Sequence, residues 1–346
     1  MSTPNITLPS DVLFSPSDAS RAGLANIDHR RKNQHLAVPF GVSRVDEVYL
    51  PLLPGELETF ISRPGNGKTS VMINRARRRA LQLSKMNENR TVVIASCEQT
   101  IEEVWALGIA AESGVNVSSM ARGVITDAEW VIIEEKAVDW GTMPIWFIGP
   151  SRERRSRRPR ITADVIIEAV LDMQNRTGID PDIVFVDYLQ LLKSNRPNAS
   201  KTVEMADTLE DCKDGALDTG CGWSVNVQAR REVDAQALPI PGPDSGQWTS
   251  AIEQFSDRQW SAVRPIKYRK PGEMFGSRLV QGNEVLLTLW KQKLGKDGVP
   301  FWLYLDPAYN RLEELDKGVE TDGKDTPYQY GDRSRRMEKI VGGREW

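Results

Sequence analysis

Ser62-Arg-Pro-Gly-Asn-Gly-Lys-Thr69 is the stretch that decides the fold of this 346-residue chain. It follows the apolar segment Glu58-Thr-Phe-Ile61 and precedes a segment with helical spacing, which is the strand, loop and helix order of a Walker A phosphate loop. Gly65 and Gly67 lack the Cβ atom that would keep a phosphate away from the backbone N–H groups. The stretch therefore predicts a nucleotide site at the end of a strand in an α/β protein.

The residue types in this loop match the parts of an MgATP site. Lys68 is expected to reach the β- and γ-phosphate oxygens, and the Thr69 hydroxyl to bind Mg²⁺, which bridges these phosphates. Ser62 stands where the general motif has its first glycine, but the glycines nearest the phosphates are retained. The alternative, a glycine-rich turn with an incidental lysine, is disfavoured by the rest of the chain. We assign ATP binding to Arg63, Pro64, Gly65, Asn66, Gly67, Lys68, Thr69 and Ser70.

Apolar runs of strand length alternate with helix-length segments after Val38. The expected strands are residues 55–61, 91–96, 144–149, 182–187, 223–228, 284–290 and 300–306. The expected helices are residues 67–83, 100–113, 163–175 and 202–217. Such alternation predicts a mostly parallel sheet with helices on both faces. The last two strands, separated by the turn-like segment Leu294–Gly298, are expected to add a C-terminal β-hairpin.

Composition divides the chain into three regions. Residues 1–35, rich in Ser, Pro, Asp and Asn, are expected to form an N-terminal arm with a short helix that docks a partner. Residues 36–316 are expected to form the ATPase domain, and residues 317–346, polar and Gly-rich, a flexible tail. No run approaches the roughly 18 consecutive apolar residues of a membrane span, and the N-terminus lacks a signal-peptide pattern. We therefore expect a cytoplasmic protein without membrane contact.

Cysteine, histidine and charge content argue against several other kinds of site. Cys97, Cys212 and Cys221 lack paired spacing, and His29 and His35 both lie in the arm, so disulfides and His/Cys zinc sites are not expected. The formal net charge of −3 argues against a uniformly basic nucleic-acid surface but is compatible with a local basic channel. Any nucleic-acid contact is therefore expected from the position of particular basic residues.

Two carboxylates are expected at the same edge of the sheet as the phosphate loop. The apolar run from Asp182 ends in Asp187, which is predicted to hold Mg²⁺ through water, because ligands of parallel sheets bind at the carboxyl ends of the strands. The run from residue 91 to residue 97 delivers Glu98 to the same edge, where it is predicted to activate the attacking water. Glu102 and Glu103 are competitors, but they fall in the next helix, where a solvated face is the simpler interpretation.

Several segments, taken in order, resemble the DnaB-like replicative helicases, a hexameric family with a RecA-type motor. The resemblance covers about residues 40 to 310 and implies a RecA-like P-loop NTPase core. The segments similar to family motifs are Gly41–Glu47, Leu53–Leu57, Ser62–Thr69, Ser96–Glu98, Val186–Leu191, Asn226–Arg231, Ser250–Asp257 and Lys291–Gly295.

The resemblance also implies the remaining roles at the nucleotide site. Glu98 matches the glutamate that is the family's catalytic base, and Gln228 matches the glutamine that senses the γ-phosphate. Lys291 and Lys293 lie in the segment similar to K-Q-R-N-G, which a neighbouring subunit supplies, and Lys68 completes the catalytic set. ATP hydrolysis is therefore implied at the subunit interfaces of a homo-oligomer, a hexameric ring.

Single-stranded DNA is the substrate on which the family acts. Hydrolysis would move loops around residues 231–250 along the strand, and the expected contacts are Arg230, Arg231, Gln247 and Trp248. Gln247 carries hydrogen-bonding groups that suit a phosphate, and the Trp248 ring suits stacking on a base.

Three departures from the family pattern favour an alternative function. Lys293 replaces the arginine finger, and a lysine is a point charge that cannot make a bidentate contact. Ser245–Thr249 replaces a pore loop with an Arg-Glu pair, and residues 1–35 replace the helical domain that binds primase in replicative members. The alternative is a RecA- or KaiC-like assembly ATPase that binds DNA or protein without unwinding. A loader or other replication protein is an expected partner.

Two arginine-rich segments have more than one interpretation. Ser151–Arg160 contains six arginines between a strand and a helix, which is typical either of a nucleic-acid contact or of a solvated loop. Arg75, Arg77, Arg78 and Arg79 follow the phosphate loop and are interpreted as mostly a polar helix face or a subunit contact.

Overall fold

The computed structural model describes most of the chain, namely residues 14–153, 159–196, 200–243, 245–246 and 249–315. The described residues divide into two compact units, with the division between Ala37 and Val38. The first unit contains helix α1 (Pro16–Lys32), whose Leu24 and Ile27 side chains are exposed. The short helix expected in the arm is therefore present, and the proposed tail lies outside the described residues.

The described part of the second unit combines helices with two sheets. Its helices are α2 (Ser43–Asp46), α3 (Lys68–Met86), α4 (Ile101–Ser113), α5 (Val117–Arg122), α6 (Asp127–Gly141), α7 (Ala163–Thr177), α8 (Lys201–Asp218) and α9 (Thr249–Phe255). Its strands are β1 (Leu57–Ser62), β2 (Arg90–Ser96), β3 (Ile145–Ile148), β4 (Asp180–Asp187), β5 (Gly222–Gln228), β6 (Arg258–Val263), β7 (Met274–Phe275), β8 (Arg278–Leu279), β9 (Glu284–Gln292), β10 (Val299–Asp306) and β11 (Arg311–Glu314). Across the described residues, no helix has the length and apolar character needed to span a membrane.

The main sheet has nine strands in the order β11-β10-β9-β6-β1-β5-β4-β2-β3. Strands β6, β1, β5, β4, β2 and β3 run parallel to one another. Strands β9, β10 and β11 extend the sheet in antiparallel order, and β7 pairs with β8 in a separate hairpin. The mostly parallel sheet and the C-terminal hairpin are therefore confirmed.

The register of the parallel strands brings the sequence motifs to one edge. Ser62, where the phosphate loop begins, pairs with Gln228 on β5, and Ser96 on β2 pairs with Asp187 on β4. Because parallel strands all end at the same edge, these residues and those that directly follow them surround a common space.

Helices cover both faces of the sheet, as the sequence pattern predicts. On β4, Val184 and Val186 pack in the apolar cluster with α7 and α8. The alternate residues Ile183 and Phe185 face the other side and pack with α3 and α4. This alternation within a strand that is buried after its first residue follows from the two-residue period of side-chain direction in a β-strand.

Strand β6 and helices α5 and α6 are elements that the pattern did not predict. Strand β6 is central, yet it carries Arg258, Gln259 and Ser261, which are untypical of a buried strand. The Arg258 guanidinium donates to the Leu50 and Pro51 carbonyl oxygens, so its burial depends on a distant segment.

In α6 the consecutive apolar residues 130–133 wrap around the helix and hide its 3.6-residue period.

The interpretation of the α3 arginines as mostly a polar face is wrong for Arg75 and Arg79. Both side chains are buried. Arg75 pairs with Glu58 at 2.6 Å, and Arg79 donates to both carboxylate oxygens of Asp182 at 2.7 and 2.8 Å. Buried ions require such partners, which here lie on β1 and β4. The arginines therefore attach α3 to the sheet.

Candidate nucleotide-binding site

The phosphate loop connects the end of β1 directly to α3. Gly65 and Gly67 have φ angles of 75° and 93°, in the left-handed region that favours glycine. A Cβ atom on Gly67 would lie 2.7 Å from Leu305 Cδ2, so a larger residue there would also have to displace the Leu305 side chain. The first N–H groups of α3 have no partner within the helix, and their partial positive charge favours an anion in the loop.

Lys68 is the first residue of α3 and lines the pocket above the loop. Its ammonium group donates to the Ser62 carbonyl oxygen at 3.2 Å. Burial lowers the pKa of Lys68, while the Asp187 and Glu98 carboxylates oppose that shift. A desolvated ammonium between carboxylates is a group that an added phosphate would stabilise.

Asp187 and Thr69 are joined across the loop. The Thr69 hydroxyl donates to Asp187 Oδ2 at 2.6 Å, and Asn226 Nδ2 donates to Asp187 Oδ1 at 3.0 Å. A hydroxyl and a carboxylate held side by side next to a phosphate loop are oxygen ligands that suit Mg²⁺. The donor set therefore fits this cation. Sequence reasoning assigned no role to Asn226, although it lies two residues before Gln228.

Glu98 follows β2 and lines the same pocket. The Cys97 N–H donates to the Asp187 carbonyl oxygen at 2.7 Å, and the Ser96 hydroxyl donates to the Gln99 carbonyl oxygen at 2.7 Å. These bonds hold the turn that carries Glu98 against the end of β4.

The competing carboxylates are engaged elsewhere. Glu103 closes a capping box with Thr100 at the start of α4. Glu102 accepts from the Ser151 hydroxyl, which lowers the pKa of Glu102 to about 2. Among the described lining residues of the pocket are Glu98 but neither Glu102 nor Glu103, which favours Glu98 as the proposed base. Neither competitor is merely a solvated residue, which corrects that interpretation.

Gln228 ends β5 and also lines the pocket. The Gln190 side chain holds it by two hydrogen bonds of 3.1 Å, since Oε1 accepts from the Gln228 N–H and Nε2 donates to the Gln228 carbonyl oxygen. Gln190 was not singled out from the sequence. Its only signal was its place three residues after Asp187.

The pocket has a volume of about 320 Å³, at the small end of the usual range for ligand sites. Its described lining residues are Pro64, Gly65, Gly67, Lys68, Thr69, Ser70, Glu98, Gln99, Leu107, Asp187, Tyr188, Gln228, Arg264, Leu305 and Pro307. Sequence reasoning did not find Leu107, Arg264, Leu305 or Pro307, because no local motif marks them. Burial lowers the pKa of Arg264, and Asp306 opposes the shift.

The side chains of Arg63 and Asn66 make their contacts outside the pocket. Arg63 pairs with Asp234 at 2.8 Å. Asn66 Oδ1 accepts from the Arg264 N–H at 2.8 Å, and its amide donates to the Tyr268 hydroxyl at 3.2 Å. These contacts attach the phosphate loop to Asp234, Arg264 and Tyr268. The assignment of Arg63 and Asn66 to nucleotide binding stays a prediction.

Lys291 and Lys293 lie at the end of β9, apart from the described lining of the pocket. Lys291 donates to the carbonyl oxygens of Glu253 and Ser256 at 2.6 and 2.8 Å. Lys293 pairs with Asp257. Within one chain the two lysines therefore do not reach the phosphate loop, and their action on a neighbouring subunit stays a prediction.

The expected DNA-contacting residues are only partly described. Arg230 and Arg231 are exposed directly after β5, and the Arg230 N–H donates to the Ser245 carbonyl oxygen at 2.9 Å. Gln247 and Trp248 lie outside the described residues, as do residues 154–158 of the arginine-rich loop. The DNA assignments therefore remain predictions.

A phosphate loop at the end of a central parallel strand, with an aspartate on a nearby strand bonded to its threonine, defines the core of a RecA-like ATPase. Comparison with protein families matches residues 37–306 to the DnaB-like helicase C-terminal domain. Because this match covers most of the chain, the chain belongs to that family.

Individual relatives are distant in sequence. The chain is 22% identical over 296 residues to the replicative DNA helicase DnaC of Bacillus subtilis, covering 85% of this chain and 60% of that protein. It is 22% identical over 290 residues to the replicative DNA helicase DnaB of Geobacillus stearothermophilus, covering 84% and 59%. The chain thus spans about 60% of the length of these relatives.

Solved structures show the same fold. A solved ATPase domain has a TM-score of 0.72 and 18% identity to this chain, covering 86% of this chain and 98% of that one. A DnaB-like replicative helicase, studied for its interactions with primase, has a TM-score of 0.69 and 19% identity, covering 81% and 63%. The RecA-like architecture expected from the sequence is therefore confirmed.

Proposed function

We propose that this chain is the ATP-hydrolysing motor domain of a DnaB-type helicase or translocase that acts as a ring on single-stranded DNA. One observation carries the proposal. Lys68, Thr69, Glu98, Asp187 and Gln228 converge on one pocket in a chain of the DnaB-like helicase family.

Each residue around the pocket has a distinct task in the proposed reaction. Lys68 and the loop N–H groups bind the phosphate oxygens and stabilise the charge that develops on them. Glu98 orients a water molecule and accepts its proton while the water oxygen attacks the γ-phosphorus. The bond from the γ-phosphorus to the ADP oxygen breaks, which gives ADP and inorganic phosphate. Gln228, positioned by Gln190, loses its γ-phosphate contact at this step.

Mg²⁺ would be held by the Thr69 hydroxyl and the Asp187 carboxylate. When bound, it neutralises charge on the β- and γ-phosphates. Asn226 bonds the Asp187 oxygen that Thr69 does not, and so keeps the carboxylate turned toward the loop.

Assembly would complete the site. Lys291 and Lys293 lie at the C-terminal end of β9, and a heterologous contact would bring them to the pocket of the next copy, closing a hexameric ring. Exposed Arg230 and Arg231, with Gln247 and Trp248, would contact the phosphates and bases of single-stranded DNA. A loader or other replication protein is the partner proposed for placing the ring on DNA.

The test is steady-state ATP hydrolysis with and without single-stranded DNA. Lys68→Ala should abolish hydrolysis through loss of nucleotide binding, whereas Glu98→Gln should retain binding of a fluorescent ATP analogue and lose turnover by about 100-fold or more. Lys85→Ala and Glu134→Gln change exposed residues of the same types on α3 and α6 and should match the wild type.

Two results would contradict the proposal. Hydrolysis that persists in both site variants would show that the pocket is not the catalytic centre. Hydrolysis that depends on the pocket but ignores DNA, with no strand displacement on a forked substrate, would instead favour the RecA- or KaiC-like assembly ATPase.

A further inference from the structure

Gln99 places a hydrogen-bond acceptor without a donor in the wall of the nucleotide pocket. Its side chain lines the pocket directly after Glu98. The Oε1 atom of Gln99 is buried, and none of the described residues donates a hydrogen bond to it. A buried polar atom without a partner is unfavourable, and such atoms are rare in folded proteins. The place of Gln99 in the pocket indicates that its donor arrives with the substrate.

The chain bends where Glu98 and Gln99 follow β2. In an extended strand, consecutive side chains point to opposite faces, so only one of the two would face the pocket. Residues 97–99 form a bend instead, and both side chains line the same pocket. A carboxylate and an amide oxygen are thereby brought to one space from adjacent positions in the chain.

Hydrogen bonds on both sides of Gln99 hold this bend. The Ser96 hydroxyl, at the end of β2, donates to the Gln99 carbonyl oxygen at 2.7 Å. On the other side, Thr100 caps α4, and the Ile101 N–H donates to the Pro150 carbonyl oxygen at 2.9 Å. The backbone of Gln99 is therefore attached to a strand and to a helix, so its side chain acts from a fixed position.

Lys68 indicates which part of a nucleotide would meet this bend. The Glu98 carboxylate opposes the lowering of the Lys68 pKa, so the two charged groups lie close together. Lys68 belongs to the phosphate loop and is the first residue of α3. The bend that carries Glu98 and Gln99 is therefore at the phosphate end of the pocket.

The partner of Gln99 Oε1 must be a hydrogen-bond donor. Phosphate oxygens are acceptors and carry negative charge, so they do not satisfy an amide oxygen. The attacking water is the donor that hydrolysis requires at the phosphate end, and it has two O–H bonds. Glu98 alone accepts one of them and leaves the water free to rotate. A second acceptor fixes both O–H directions and directs a lone pair of the water oxygen toward the γ-phosphorus.

We propose that Gln99 Oε1 accepts a hydrogen bond from the attacking water and, together with Glu98, orients it for attack on the γ-phosphorus. The inference rests on the proposed function and deepens it, because it concerns the same pocket and reaction. Glu98 takes one proton of the water as the new P–O bond forms and the bond to the ADP oxygen breaks. The other hydrogen stays on the water oxygen, which becomes an oxygen of inorganic phosphate. Gln99 exchanges no proton and acts by orientation.

Gln99→Met tests this role in the full chain, because it keeps the length of the side chain and removes the acceptor. The kcat for ATP should fall by about 10-fold or more, while binding of a fluorescent ATP analogue stays within about twofold of the wild type. Gln281→Met, at an exposed glutamine before β9, should match the wild type in both measurements. A wild-type kcat in Gln99→Met would overturn the inference.

Binding of ADP with aluminium fluoride provides a measurement that does not depend on turnover. This mixture imitates the transferring phosphoryl group with a water in line, and transition-state analogues report contacts that strengthen during reaction. Gln99→Met should bind it about 10-fold or more weakly than the wild type and should bind ADP alone equally well. Equal weakening of both would assign Gln99 to a ribose hydroxyl or the adenine amino group and would overturn the inference.

A double variant tests whether Glu98 and Gln99 act on the same water. If they do, their losses should not add, so Glu98→Gln combined with Gln99→Met should hydrolyse ATP no more slowly than Glu98→Gln alone. Single-turnover measurements with excess protein detect these slow rates. A double variant slower by the product of the two separate losses would show that Gln99 acts elsewhere and would count against the inference.

Failure of the proposed function gives a different set of results. A wild-type chain that does not hydrolyse ATP would refute the proposed function, and the role of Gln99 with it. Hydrolysis that requires Glu98 but is unchanged by Gln99→Met would refute only the role of Gln99. Hydrolysis that depends on both residues and ignores single-stranded DNA would support the role of Gln99 and refute only the DNA motor.

Discussion

The Thr69 hydroxyl donates a 2.6 Å hydrogen bond to the Asp187 carboxylate and so joins the first turn of α3 to the end of β4. The two residues are 118 positions apart in the chain, and the parallel sheet brings them together. The oxygen atoms of this contact are the proposed Mg²⁺ ligands. Substitutions at this contact should therefore change metal-dependent binding more than they change folding.

Thr69→Val removes the hydroxyl while keeping the shape of the side chain. We expect Mg²⁺-dependent binding of a fluorescent ATP analogue to weaken by about 10-fold or more, because one hard oxygen ligand is lost. Thr69→Ser retains the hydroxyl and should bind with nearly wild-type affinity. Mg²⁺ titrations of both variants check the prediction, and equal affinities would contradict it.

Gln190→Ala removes both hydrogen bonds that hold the Gln228 backbone. Since Gln228 is proposed to contact the γ-phosphate, kcat should fall by about 10-fold or more with a smaller change in KM. Gln281→Ala, which changes an exposed glutamine before β9, provides the control. A rise in KM alone would show that Gln190 supports only binding.

The buried Glu58 carboxylate accepts hydrogen bonds from Arg75, Tyr49, Ser224 and Trp260. Glu58→Gln leaves the Arg75 guanidinium without its counter-charge and should lower the free energy of unfolding by about 3–5 kcal/mol. Urea denaturation measures this loss. Glu134→Gln on the exposed face of α6 should have almost no effect, and a similar loss in both would refute the argument.

Glu58 also predicts how stability depends on pH. Burial alone would raise the pKa of Glu58, but Arg75 and the other donors outweigh burial and hold the pKa below its ordinary value. The folded pKa is thus lower than the unfolded one, so the contribution is complete above the ordinary carboxyl pKa and is lost as the pH falls below it. Unfolding curves between pH 7 and about pH 3 should show this loss in the wild type and a smaller one in Glu58→Gln.

Gly108 lies on α4 where the Trp140 ring of α6 packs against its backbone, and a Cβ atom there would overlap the ring. Alanine normally stabilises a helix by about 0.5–1 kcal/mol relative to glycine. Overpacking against the Trp140 ring should reverse this effect, so Gly108→Ala should lower the free energy of unfolding by about 1–3 kcal/mol. Gly141→Ala, with open space at its Cβ, is the control in thermal unfolding, and stabilisation by both variants would show that no overlap exists.

Local sequence patterns were sufficient to predict those parts of the site that lie within a single segment of the chain. The glycines of the phosphate loop, the apolar run that ends in Asp187 and the strand that delivers Glu98 each depend on neighbouring residues only. Backbone conformation and strand burial are strongly constrained by such short-range patterns. These residues could therefore be placed at one edge of a parallel sheet from the sequence.

Contacts between distant segments were decided by the tertiary structure alone. The sequence does not show that Arg264 and Leu305 wall the pocket or that Gln190 holds Gln228. Nor does it show that polar β6 is a central strand or that Arg75 is buried, since the cost of burying polar groups depends on partners supplied elsewhere in the chain. The sequence by itself determined which groups form the proposed phosphate site, and folding decided which side chains surround and position them.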